Sequence, residues 1–263
     1  MNAVNRLMGI GLLLFSQWSL SAPAGLLDAL HQMRLAANGM ATHFYMFSGL
    51  NADSKYSKLI DVSKQHFISA LERVKADPAA QSMQPSTEKI NSQWQALNEL
   101  LEVNRQDVLT KGFASIRLVD DMGRMSTTLV DDIDAAYHSV QQSTSVTPPA
   151  AVEAARNLAM LMSEITSLYA AEGTSNLGYL FVGTGENTDT IGGLADEFEQ
   201  QLTTLESMNV APDAATSLRN VASKWRFIEE RVRKHNENSV PFLIVSYNEK
   251  ILQHLAAIEA SYQ

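Results

Sequence analysis

Apolar residues recur every three or four positions along almost the whole chain, the step that places them on one face of an α-helix. Leu27, Leu30, Arg34, Ala37, Ala41 and Phe44 share the first stripe. Ile60, Phe67, Leu71 and Val74 make the second, which Asp77-Pro78 ends. The third runs Ile90, Trp94, Leu97, Leu101, Asn104, Val108, after a start at Pro85-Ser86-Thr87-Glu88, where a hydroxyl cap would precede acidic charge,. Gly112 marks a break, and Ile116, Val119, Met122, Val130, Ile133, Tyr137 and Val140 form a long fourth stripe. The plan then starts again. Leu158, Leu161, Ile165 and Leu168 precede a Gly-, Thr- and Asn-rich loop from Gly183 to Gly193. Leu194, Phe198, Leu202 and Leu205 follow, then Leu218, Val221, Trp225, Ile228, Val232 and His235. Ile244, Tyr247, Ile251, Leu255 and Ile258 complete a last helix opened by Pro241,. No stretch sustains two-residue alternation, so the pattern predicts eight helices and no sheet.

The second half also repeats the first residue by residue. Ala36-Ala37-x-Gly39 leads after five residues to Tyr45-x-Phe47-x-Gly49, and Ala170-Ala171-x-Gly173 leads in the same way to Tyr179-x-Phe181-x-Gly183. Downstream, Phe67, Leu71, Trp94 and Glu99 correspond to Phe198, Leu202, Trp225 and Glu230. A duplication follows. The expected fold is all-α: two tandem four-helix bundle repeats forming an elongated helical protein, residues 22–142 and 150–263, joined by a linker at 143–149 that Pro148-Pro149 keeps from being helical,. The tryptophans at equivalent places read as core anchors. Gly39 and Gly173, within helices, imply a bend or close approach of a neighbouring helix.

The N-terminus changes the picture of where the protein works. Arg6 and the apolar run Leu7–Phe15, followed by small residues, read as a secretory signal over residues 1–21,. Cleavage before Ala22 is expected, with cleavage before Gly25 or an uncleaved anchor as alternatives. The expected location is therefore periplasmic or secreted. Cysteine is absent, which excludes thiol catalysis, thiolate metal sites and disulfides. The formal charge of −9 becomes −10 without Arg6 and disfavours nucleic acid or an anionic membrane as partner,.

Phe67-x3-Leu71, a proline-bearing connection and Ile90-x3-Trp94-x2-Leu97-x3-Leu101 resemble the periplasmic domain of type IV pilus methyl-accepting chemotaxis transducers. That domain is related to the nitrate/nitrite sensor bundles, and pilus transducers carry such a unit in tandem. The resemblance spans both halves. The family's first helix carries G-x-x-R-M and then a second arginine. Here Gln32-Met33-Arg34-Leu35 matches the first arginine alone, Gly39 stands in place of the second, and Gly123-Arg124-Met125-Ser126 is a partial match on another helix. The resemblance implies a stand-alone sensing fold without the signalling region, and a ligand-binding arginine at position 34.

Polar residues that interrupt an apolar stripe are the candidates for function. Arg34 lies where the duplicate has Leu168, and Glu164 where the first copy has Leu30. A charge on an inward stripe needs a partner, water or a ligand. For Arg34 an anionic ligand and an internal carboxylate both satisfy this. Asn104 and His235, at equivalent places, read as polar spacers. Tyr45 and Tyr179 would line a pocket at a helix end or close the core there. Asp120, Asp121, Asp131, Asp132 and Asp134 read as a solvated acidic face, without the alternating oxygen ligands and glycine turn of a calcium loop. No metal, cofactor or catalytic motif occurs. The expected function is thus a non-catalytic ligand-sensing or adaptor module with Arg34, Tyr45 and Tyr179 as candidate ligand contacts. Its partner would be a small anionic ligand or a membrane receptor ectodomain, with a homo-oligomer open. The alternative is a structural helical scaffold of the cell envelope.

Overall fold

A computed structural model describes residues 22–174, 191–237 and 239–262. The leader, Tyr179 and Phe181 lie outside the described residues. Among those described the protein is all-α, with α1 (Ala22–Gly49), α2 (Ser54–Ala76), α3 (Gln84–Lys111), α4 (Ile116–Thr144), α5 (Ala150–Thr174), α6 (Ile191–Ser207), α7 (Pro212–Arg233) and α8 (Pro241–Ala260). A 3-10 turn, Pro78–Met83, joins α2 to α3. Asp77 serves both neighbours: its backbone N–H caps α2 at Val74, and its carboxylate accepts from the Ala79 N–H to open the turn,. No described helix is long and apolar enough to cross a membrane.

Two starts differ from expectation. α3 begins at Gln84, so Ser86 and Thr87 are inside it and do not cap it; Thr87 Oγ1 instead donates to the Met83 carbonyl one turn back,. α6 begins at Ile191, which makes Gly192 and Gly193 helical. Two stripes also differ. On α4 the buried line passes through Ser126 and Leu129, while Ile116 is exposed at the helix start. α7 ends at Arg233, so His235 is beyond it, paired with Glu172 of α5 at 3.2 Å. Asn104 is fully buried and donates to the Leu118 carbonyl, 3.0 Å, as a spacer between α3 and α4.

Two hydrophobic clusters hold the helices. One joins the inner faces of α1–α4, and Ala170, Ala171 and Val245 extend it into the second half; the other joins α5–α8. Each has the same aromatic centre. Phe67 stacks on Trp94 with centroids 4.6 Å apart, and Phe198 meets Trp225 at 4.3 Å. These are the residues that the duplication equates. The acidic residues of α4 are fastened rather than simply solvated: Asp132 takes Lys89 and Gln93 of α3, and Asp120 and Asp121 take Arg124 one turn on.

α1 is the helix shared by everything else. It is buried on all sides, packing on α2 and α4 of its own half and on α5 of the other,. α1 and α5 run in the same direction. Asp28 and Arg156 meet near their starts, and Thr174 donates to the Tyr45 carbonyl near their ends. Gly49 is required there, because a Cβ would collide with the Thr174 side chain. Gly173 makes room in the same way for Pro241, whose Cγ would be 2.5 Å from an added Cβ. That is the close approach its position implied.

Candidate functional site

Side by side, α1 and α5 bury charge between them. His31 and Arg34 come from α1, one turn apart, and Arg156 comes from α5,. Arg156 is 4% exposed. Its Nε donates to Glu259 of α8 at 2.7 Å, and its Nη1 reaches the Tyr137 hydroxyl of α4 at 3.2 Å. That hydroxyl donates in turn to Glu153, 2.7 Å. Arg34 pairs with Asp134 and lies over the Tyr137 ring, 4.3 Å from its centroid. His31 accepts at Nδ1 from the Arg34 guanidinium, 3.2 Å, since a guanidinium only donates,. Its proton therefore sits on Nε2, facing Glu259 at 3.6 Å. Burial, with the charges of Arg34 and Arg156, holds His31 well below the usual imidazole range and so neutral,. Burial likewise raises Glu259, against the pull of Arg156.

Of the two answers open for Arg34, the structure supplies the internal carboxylate. Asp134 keeps 43% of its side chain exposed, so water can take over when its partner is removed. Arg34→Leu is expected to cost only about 1–2 kcal/mol, because the Asp134 carboxylate it leaves is solvated and the main loss is the donor to buried His31 Nδ1,. Chemical denaturation of the variant tests this; a loss of several kcal/mol would mean that Asp134 depends on Arg34. Tyr45 is also a core residue here. It is 5% exposed, edge-on to Phe44, and burial raises its hydroxyl pKa. Glu164 is exposed.

Beside this charged centre lies a cleft of about 460 Å³, between α1 and α2 on one side and α5 and α8 on the other. Its size is that of a small-molecule site. Gly39 shapes one wall: a Cβ there would stand 3.0 Å from Ser63 Oγ, and its absence lets Ser63 hydrogen-bond His43 Nδ1 at 3.1 Å. On the other wall, Ser163 Oγ, Asn248 Oδ1 and Glu249 Oε1 are shielded from solvent and have no hydrogen-bond partner among the described residues. Such atoms are rare in folded proteins because each costs roughly 1–3 kcal/mol. Behind the lining, the buried Tyr56, whose ring lies 6.4 Å from that of His43, has its hydroxyl raised to about 12 by burial and by the charge of Glu249. The candidate site thus moves from Arg34 and Tyr45 to this cleft. No group of described residues is arranged to hold a metal.

Burial lowers His43 to about 4, with Lys55 adding to the effect. The unfolded chain, with an imidazole near 6.5, then binds more protons than the folded one between pH 6.5 and 4. Stability is present above that window and lost as pH falls through it, by about 3 kcal/mol for this residue alone,. Urea denaturation at pH 7 and pH 4.5 should show a smaller acid loss in His43→Gln than in the wild type. Equal losses would show that His43 is not the group.

Ser163, Asn248 and Glu249 carry no motif. Arg156 did have a signal, being a charge between the buried Val152 and Ala159, the same interruption that marked Arg34. Comparison with protein-family models, with curated proteins and with solved structures finds no match to this chain.

Proposed function

We propose that this protein is a non-catalytic, periplasmic ligand-sensing or adaptor module, and that its ligand occupies the cleft between α1–α2 and α5–α8. The observation that carries this reading is the set of shielded, unpartnered oxygens on a cleft wall, Ser163, Asn248 and Glu249. The resemblance to pilus chemotaxis transducer sensor domains supports the same reading, with a receptor ectodomain as the partner that senses occupancy. Because the cleft is walled by both halves, a ligand there changes the free energy with which they pack, which is what a sensor transmits.

The test is a thermal-shift screen of the protein against small anions, amines, amino acids and sugars, run beside Ala256→Trp. Ala256 is exposed and lines the cleft, so the indole narrows the cleft without entering the core. A ligand that binds only the folded state raises Tm. At least one compound should do so in the wild type and fail to do so in the variant. A ligand that stabilises both equally binds elsewhere and ends the proposal. The second reading, a helical scaffold of the envelope, is favoured by the exposed Leu109, Phe113 and Ile116 around the α3–α4 turn,. A screen with no stabilising compound selects it.

A further inference from the structure

Resting on the proposal that the cleft binds a ligand, we infer that this ligand is a primary amine, held as its ammonium by Glu249. The cleft is chemically one-sided. Among the described residues no Lys or Arg lines it, and its carboxylates are Glu249 and Glu259. Glu259 is already engaged by Arg156 at 2.7 Å. Glu249 forms no ion pair among the described residues, and its Oε1 is shielded and unpartnered. Asn248 Oδ1, beside it, is a second shielded acceptor, and Ser163, 4% exposed, turns an unpartnered hydroxyl to the same cleft from α5.

The cations nearby are committed elsewhere. The Lys55 ammonium lies over the rings of Tyr56 and Phe242, 5.1 Å from each centroid, and Lys250 over Tyr247 at 5.2 Å. His43 is engaged with Ser63. Glu249 is half-buried, and its shielded oxygen has no cation among the described residues, so that oxygen lacks what a charge turned away from water needs,. An ammonium supplies three N–H donors in a tetrahedral spread, which suits a cleft lined by a carboxylate oxygen and an amide oxygen of α8 and a hydroxyl of α5,. A carboxylate or nitrate ligand would add like charge beside Glu249 and find no Lys or Arg on the lining; of the two lining imidazoles, His43 is engaged with Ser63 and the exposed His66 stands on α2, on the opposite side of the cleft from Glu249. The inference therefore reverses the sign of the ligand that Arg34 suggested in the sequence.

Three compounds on one carbon skeleton separate charge from shape: 4-aminobutan-1-ol, butane-1,4-diol and 4-hydroxybutanoate. Binding to the full chain is read by saturation-transfer NMR at millimolar concentration, where weak fragment binding is visible. The amine should bind, with the diol and the acid at least about tenfold weaker, the difference that one charge-assisted hydrogen bond makes. Glu249→Gln should weaken the amine by about tenfold or more. The unliganded Glu249→Gln protein should melt no lower than the wild type, because the carboxylate it loses has no hydrogen-bond or ion-pair partner among the described residues. A lower melting temperature would reveal a structural partner for Glu249 and overturn the inference. So would preferred binding of 4-hydroxybutanoate that Ala256→Trp abolishes; the cleft reading then stands and the amine falls. If none of the three binds, the amine falls and the cleft reading is decided by the wider thermal-shift screen; if amine binding survives Ala256→Trp, the amine sits elsewhere and the inference falls.

Discussion

Trp225→Ala is expected to cost about 3–5 kcal/mol, the range for removing a large aromatic from a close-packed core. The indole is fully buried, its ring meets Phe198 at 4.3 Å, and its Nε1 donates to Glu199. Truncation leaves a cavity between α6 and α7 that rigid helices on both sides cannot close. Glu199 contributes little to the loss, since it is half-exposed and water replaces the indole N–H. Trp94→Ala should fall at the low end of the same range. Trp94 stacks on Phe67 in the same way but retains 7% exposure. Guanidinium denaturation gives both values. Losses under about 1 kcal/mol, or free quenching of both indoles by acrylamide, would show that these residues are not the core anchors.

Arg156→Met should be comparably damaging, about 3–5 kcal/mol, for an electrostatic reason. It strands Glu259, which is 7% exposed, with Asp28 and Glu153 as its charged neighbours. Glu259 already has a raised pKa because of burial, and without Arg156 it rises further. A carboxyl raised in the folded state penalises folding above its unfolded pKa and ceases to do so once it is protonated in both states. The cost of Arg156→Met should therefore shrink as pH falls from 7.5 toward 4.5. Adding Glu259→Leu should recover most of the loss at pH 7.5, since an apolar pair can replace a buried ion pair at little cost. A double variant as unstable as the single one would mean that packing, not charge, is what Arg156 supplies. The contrast with Arg34→Leu is instructive. Both arginines are buried, and what separates them is whether the surviving carboxylate can reach water.

Much of the fold could be read from the chain because helix formation is signalled locally. All the residues of the third stripe, Ile90 to Val108, are buried on α3 as their spacing requires. The paired aromatics did what their equivalent places implied. The errors fall where local rules run out. Ile116 follows the helical step but sits where α4 has no neighbour to cover it. Ser86 and Thr87 have the chemistry of caps, yet Pro85 can occupy the first turn and the helix starts before them,. Arg34 could be recognised as a charge on an inward face, but its partner could not, because Asp134 stands one hundred residues away on α4.

The chain alone determined that the segments are helical, roughly where most of them break, the inward face of helices such as α3, and that the aromatic pair of one half returns in the other. These depend on spacing within a few turns and on turn residues at the ends. Only the tertiary structure decided which charges meet and where a ligand has room. Arg156 reaches Glu259 across 103 residues because α5 and α8 pack antiparallel at one separation and register. The cleft exists because α1 and α5 run side by side, with α2 and α8 flanking them. Ser163 and Glu249 are ordinary helix residues in sequence; that Ser163 Oγ and Glu249 Oε1 are shielded with no partner among the described residues arises only when those four helices close around them.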